Sequence, residues 1–435
     1  MNRFFLQKLQ GFEPNHVAVD SRLVREGGMF VAIKGMHHDG HDYLEEVHRR
    51  GAIAAMVDES YEGDDYGLQL FRVDDTVAAL QDIAAESVKD MECKVVAITG
   101  SVGKTTTKEF VQTLLSETFR VGASPGNANS QIGLPLAIIN TFTGDEEILV
   151  LEMGMSVKGN LSRLVQMIPP DIAVITAVEL VHACNFTGLE AIADAKAEIL
   201  SHPRTKTAVI NRDIIKFEEI CAATSAKTIS YASSSYADYS FACGSDHYHV
   251  YAEGGEHTLP CPPVVGGHNM KNLLAAIVVA RQCGVPWEDI AKAIPKLTLP
   301  ERRLQHQEKN GVLFVNDAYN ACEVSIKAAL DSLPKAAGKR IAVVGAMLEL
   351  GVHSDRCHYE VGKYAMGCVD HLLCLGEECA PMVDLWKKEG RNASLHHERS
   401  ALAEELQSLI QPNDVVLLKG SQAKELWKII DEVNL

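Results

Sequence analysis

Short β-branched apolar runs alternate with amphipathic stretches along most of this chain, and the alternation predicts strands and helices in turn. Strand-like runs stand at "HVAVD", "MFVAIKG" and "GAIAAMVDE", with a helical pattern over residues 42–50. A second set opens with "KVVAIT" and continues through "EILVLEMG", "DIAVITAV" and "TAVINRD". These runs are apolar throughout, which suits a mostly parallel sheet covered on both faces. "GGHNMKNLLAAIVVARQCG" reads as a helix with glycine at its end, and the polar, Pro-bearing "LTLPERRLQ" after it reads as a hinge. Beyond the hinge, "GVLFVNDAY", "RIAVVGAM", "HLLCLG" and "DVVLLKGS" alternate with helical patterns over residues 325–333, 355–366 and 400–410, and a last helix follows. That is a doubly wound pattern, in which ligands gather at the strand C-termini. The expected fold is α/β in three domains. Residues 1–88 form a small α/β unit, 89–300 a central unit with a mostly parallel sheet, and 301–435 a Rossmann-like doubly wound unit.

Composition narrows the classes. A chain of 435 residues exceeds one ordinary core, and 46% hydrophobic with 23% charged residues describes a globular protein. No stretch approaches the roughly 20 apolar residues of a membrane helix. The start, "MNRFFLQKLQGFEP", shows no secretion signal, so a cytoplasmic location is expected. Eleven scattered cysteines without a CxxC pair fit reduced thiols better than a disulfide framework. A net charge of −17 argues against nucleic-acid binding. Small anionic ligands need only local positive potential and stay open.

The chemistry begins at "KVVAITGSVGKTTTKEF", a strand followed by the glycine turn Gly100, Ser101, Val102, Gly103 and then Lys104, Thr105 and Thr106. A strand, a tight turn and a helix N-terminus gather backbone N–H groups around one point, and the helix dipole adds to their pull on an anion. Lys104 supplies a charge for the β- and γ-phosphates and Thr105 a hydroxyl for Mg²⁺. The usual pattern has Gly six residues before the lysine, where this chain has Ile98. The loop points to a nucleoside triphosphate and leaves the reaction open.

Glu152 ends a strand of the same unit, where a carboxylate can reach a metal held by Thr105. His182 lies six residues past the strand "AVIT", and Lys196 fourteen further on. Taken singly, they read as a loop histidine and a solvated helix lysine with acidic neighbours. His268 and Asn269 precede a helix, where Asn269 serves equally as a helix cap or as a contact to a nucleotide base. Asp317, Tyr319 and Asn320 follow one strand of the third unit, and Lys419 and Ser421 follow another.

In this order the motifs resemble the Mur ligases, and within them the branch that joins D-alanyl-D-alanine to UDP-N-acetylmuramoyl-tripeptide. "VDSRLVREGGMFVAIKGMHHDGHDYL" is similar to the family's UDP-sugar segment, "TGSVGKTT", "NANSQIGLPLAIIN", "LEMG", the His182–Lys196 block and "GGHNMKNLLAA" to its central motifs, and "NDAYNA", "MLELG" and "LLKGS" to its C-terminal ones. The resemblance implies an ATP-dependent amide-bond ligase acting through an acyl phosphate, in peptidoglycan precursor synthesis. It implies ATP at the Gly100–Thr106 loop with Asn269, Arg303 and Asp317, and Mg²⁺ at Thr105, Glu152, His182 and a carbamylated Lys196. Lys104, Glu152, His182 and Lys196 would be catalytic. Ser21, Arg22, Asp39, Tyr319 and Asn320 would bind the small-molecule substrates, and a monomer is expected. Adjacency to Leu304 favours Arg303 over Arg302 for the nucleotide-contacting arginine.

The chain departs from the family pattern at Ala177, Cys322, Glu323, Ala346 and Gln422. These departures keep two other readings open: a related ligase with another amino acceptor, of the single-amino-acid or folylpolyglutamate type, and a nucleotide- or muropeptide-binding scaffold with impaired turnover.

Overall fold

A computed structural model describes residues 16–433, apart from residues 90, 234–235, 245 and 253. The segment read for a secretion signal lies outside these residues. The chain folds around three sheets. In the first, Val17–Ala18, Met29–Val31, Ala54–Asp58 and Gln69–Val73 lie side by side in chain order, all parallel. The helix Thr76–Lys89 then leaves this sheet, and its Leu80, Ile83 and Ala84 enter the same apolar cluster as Leu134 and Ile138 of the helix Gly133–Thr141. Asn140 at the end of that second helix mimics a strand edge. Its side chain accepts from the Val17 N–H and donates to the Val17 carbonyl, both at 2.8 Å, and so fastens the first sheet to the central unit.

The second sheet has nine strands. At its centre Lys94–Thr99 runs parallel between Ile148–Glu152 and Ile172–Ile175, and every residue of the two flanking strands is buried. Helices cover both faces, among them the helix Gly267–Gln282, whose apolar residues all lie inside. Parallel strands Thr207–Asn211 and Lys227–Ala232 extend it, and an antiparallel meander of Tyr239–Cys243, His247–Ala252 and Gly255–Pro260 closes that edge.

The third sheet runs Gln305–Lys309, Val312–Asn316, Val415–Lys419, Arg340–Gly345, His371–Leu375 and Asn392–His396, parallel except for its first strand. Strand order reverses around Val415–Lys419, so the loops after it and after its two neighbours open at one switch point. The expected α/β, doubly wound organisation is therefore what the chain adopts. Among the elements that the pattern did not predict are the strands Gln69–Val73, Lys227–Ala232, Gln305–Lys309 and Asn392–His396, the meander, and the helices Thr76–Lys89, Gly133–Thr141 and Ala380–Lys388. Gln69–Val73, Gly255–Pro260, Gln305–Lys309 and Asn392–His396 lie at sheet edges and carry polar residues, so burial writes no continuous apolar run there. Among the described residues no helix is long and apolar enough to cross a membrane.

Lys108, on the helix Lys104–Leu115, is fully buried. Its ammonium donates to the Ser124 carbonyl at 2.5 Å and the Gly126 carbonyl at 2.7 Å and pairs with Glu109 at 3.0 Å. That clamp ties the segment leading to Asn127 and Asn129 onto the helix. Lys108→Met keeps the apolar stem and leaves the buried Ser124 carbonyl without its donor, so it should destabilise the central unit by about 1–3 kcal/mol. Thermal unfolding measures this, and an unchanged midpoint would show that the clamp contributes nothing.

Candidate active site

The loop between Thr99 and Lys104 owes its shape to two glycines. Gly100 has φ +157°, and a Cβ there would stand 1.9 Å from the Thr176 hydroxyl oxygen. Gly103 has φ +85°, and its Cβ would meet the Asn272 side-chain oxygen at 2.5 Å. Gly103 also caps the helix Lys104–Leu115 without a side chain, so the first N–H groups of that helix stay open to an anion. Lys104 folds back over the loop and donates to the Gly100 carbonyl at 2.8 Å. Burial lowers its pKa, and the Glu152 carboxylate opposes that shift.

Glu152 is 1% exposed, and each of its oxygens has one partner. The Thr105 hydroxyl donates to one at 2.8 Å, and the Asn129 amide to the other at 2.5 Å. Asn129, which the sequence reading left inside a motif without a role, thus orients the carboxylate. Its only signal in the sequence is the run of small and amide residues in "GNANSQ".

Two cavities meet here. One, of about 450 Å³, runs from the loop and Thr105 past Asn211 and Asn269 to Arg303, Asp317, Tyr319 and Asn320 of the third unit. The other, of about 350 Å³, is lined by Ser130, Gln131, Met155, Asn160 and Lys196. Ser101, Lys104, Asn129, Val181 and His182 belong to both walls. Of the departures from the family pattern, Ala177, Cys322 and Gln422 line the larger cavity.

Lys196 is not a solvated helix lysine. It is 4% exposed, and burial, with Lys104 adding to it, holds its pKa well below the usual lysine range. The acidic neighbours in sequence are engaged elsewhere: Asp194 pairs with Lys216, and Glu198 accepts from the Gly159 and Ser162 N–H groups. No hydrogen bond or ion pair to a described residue holds the Lys196 amine. His182 sits in a left-handed backbone conformation, φ 55°, and its Nδ1 meets the Glu349 carboxylate of the third unit. Among the described residues no three His, Cys, Asp or Glu side chains are clustered to hold a metal.

Asn269 does not cap its helix. Gly266 takes the N-cap, and Asn269 lies buried in the first turn, donating to the Val265 carbonyl at 2.7 Å. Across the hinge, the Arg303 guanidinium stacks 4.1 Å over the Tyr319 ring inside the larger cavity, whereas Arg302 stacks 3.9 Å over Trp427 outside it. Asp317 anchors the junction between the central and third units, accepting from the Leu304 N–H at 3.1 Å and pairing with buried Lys419 at 2.7 Å. Ser21, Arg22 and Asp39 line neither cavity. They stand at the C-terminal ends of strands of the first sheet, where Arg22 pairs with Asp20 at 2.6 Å and Asp39 with His41 at 2.6 Å.

Known proteins share this fold. Residues 98–280 match the Mur ligase middle domain, and residues 302–422 match the Mur ligase, glutamate ligase domain. The UDP-N-acetylmuramoyl-tripeptide–D-alanyl-D-alanine ligase of Bacillus subtilis is 32% identical over 428 residues, which span 96% of this chain and 92% of that protein. The crystal structure of MurF ligase from Thermotoga maritima in complex with ADP superposes with a TM-score of 0.81 at 30% identity, covering 97% of both chains. A crystal structure of MurF from Acinetobacter baumannii gives 0.87 at 26% identity, over 99% of this chain and 98% of that one. With the glycine loop, the paired cavities and three sheets spanned from end to end by such relatives, the chain belongs to the Mur ligase family.

Proposed function

We propose that this chain is an ATP-dependent ligase that joins D-alanyl-D-alanine to the terminal carboxylate of UDP-N-acetylmuramoyl-tripeptide, in the cytoplasm, completing a peptidoglycan precursor. The observation that carries this reading is the meeting of the two cavities at Lys104, Asn129 and His182. ATP occupies the larger one, with its γ-phosphate on the loop and the helix N-terminus. The tripeptide carboxylate enters from the smaller one. A carboxylate oxygen attacks the γ-phosphorus and ADP leaves. The dipeptide amine then attacks the acyl carbon of the resulting acyl phosphate, loses its proton, and phosphate departs with the carboxylate oxygen. Lys104 offsets the repulsion between the two approaching anions.

The residues also suit a magnesium ion. Thr105, Glu152 and His182 supply a hydroxyl, a carboxylate oriented on both oxygens and an imidazole with Nε2 uncommitted. Lys196 completes the set as a carbamate. Burial lowers the Lys196 pKa and so favours the neutral amine, the form that adds CO₂. The product is a carboxylate, which suits a divalent cation where a lysine cation would repel it. Bound magnesium would neutralise phosphate charge and polarise the transferred group. Arg303 and Asn269 line the nucleotide cavity, Tyr319 and Asn320 face the acceptor, and Ser21, Arg22 and Asp39 take the UDP moiety on the first sheet.

Phosphate release with ATP, tripeptide and D-Ala-D-Ala, each omitted in turn, tests the reading. It should require all three, and release without the dipeptide, or equal release with single amino acids, would contradict it. Lys104→Ala should lower kcat by about 10²–10³-fold. Turnover at the native rate in that variant would move the chemistry away from the loop. Lys196→Ala should lose most activity and regain part of it with added short-chain carboxylic acids, and CO₂ removal should slow the native enzyme reversibly. An alanine variant of undiminished rate would exclude Lys196 from the site.

A further inference from the structure

At one corner the third unit is hydrogen-bonded to the loop of the central unit that carries His182 and Cys184. Glu349 lies in the "MLELG" loop after the strand Arg340–Gly345, with φ 61°. Its carboxylate meets His182 Nδ1, and its carbonyl accepts from the Cys184 N–H at 3.0 Å. Gly351 of the same loop packs on Cys184, where an added Cβ would stand 3.3 Å from the Cys184 Cα. The loop is itself anchored, since the Ser421 hydroxyl donates to the Ala346 carbonyl at 2.8 Å and accepts from the Leu348 N–H at 3.2 Å. Ser421 lies two residues beyond Lys419, the partner of Asp317. One bonded path therefore runs from the nucleotide side of the third unit to His182.

An ionised carboxylate only accepts hydrogen bonds, so the Nδ1 it meets must carry the proton. Nε2 is then left with its lone pair, and no hydrogen bond to a described residue engages it. His182 belongs to both cavity walls. The side chains of His182 and Glu349 are 34% and 56% exposed, so the pair is a weak source of stability. Its consequence is orientation, as in carboxylate–histidine–metal arrangements where the outer partner sets the tautomer. Left-handed backbone at both residues indicates that the corner holds its geometry against local preference.

We propose that Glu349 is a positioning residue: it fixes His182 in the Nδ1–H tautomer with Nε2 toward the cavities, so that the magnesium site is complete only when the third unit is docked on the central one. This rests on the ligase reading for the metal, but not for the tautomer. The test uses the full chain. Nitrogen-15 NMR of histidine-labelled protein, free of nucleotide and metal, should show His182 as Nδ1–H in the native chain and in Glu349→Gln, whose amide oxygen still accepts. In Glu349→Ala the ring should shift toward the Nε2–H form that free imidazole favours. The magnesium concentration for half-maximal phosphate release should rise about 10–100-fold in Glu349→Ala and much less in Glu349→Gln, with the KM for ATP little changed. An unshifted tautomer in the alanine variant, or an unchanged magnesium dependence, would overturn the proposal. A native chain that releases no phosphate, with the tautomer still shifting in Glu349→Ala, would instead fault the ligase reading alone.

Discussion

A phosphate and a carboxylate repel each other, and a site that must bring them into bonding contact needs positive potential at one point and acceptor geometry around it. In this chain that point is the start of the helix Lys104–Leu115. Two glycines that admit no side chain, an uncapped helix N-terminus and the Lys104 ammonium converge there. The central sheet exists, for the purpose of the site, to hold Glu152, at the end of one strand, beside Thr105, which opens the helix after the neighbouring strand. Their 2.8 Å hydrogen bond shows how closely the register of Lys94–Thr99 against Ile148–Glu152 achieves it. A shift of one residue in that register would turn Glu152 to the other face of the sheet.

The other two units act by what they bring to the same corner. The first sheet is fastened by Asn140, and its candidate UDP-binding residues stand apart from both cavities, so a substrate reaching from there to Lys196 has to be long. The third unit contributes Arg303, Asp317 and Tyr319 to the larger cavity and Glu349 to His182. Asp317 joins these roles, because its carboxylate accepts from the Leu304 N–H at the junction of the two units while Lys419 leads on to the loop that carries Glu349.

The sequence disclosed whatever chemistry is local. The loop, the strand-end carboxylate and the colinear motifs could be read because short spacing determines their geometry. Lys196 was legible only through the resemblance of the whole motif series, since by itself a lysine between Asp194 and Glu198 looks solvated until packing turns it inward and draws both acids to other partners. Glu349 was equally hidden, because its partner lies 167 residues away on another unit. Polar edge strands such as Gln305–Lys309 escaped for the same reason: pairing, which is non-local, makes them strands, and no apolar run marks them. Adjacency to Leu304 singled out Arg303 over Arg302, and only the stacking on Tyr319 and Trp427 shows the two pointing apart.

The meeting of the cavities at Lys104 has one chemical consequence that can be followed atom by atom. With the terminal carboxylate of the tripeptide labelled with oxygen-18, attack on the γ-phosphorus carries one labelled oxygen into the acyl phosphate, and amide formation expels it with the phosphate. Mass spectrometry of the products should find the label in inorganic phosphate, alongside unlabelled ADP. Label in AMP, or phosphate free of label after a full turnover, would mean that the carboxylate never reached the γ-phosphate, and the joining of the two cavities would have been misread.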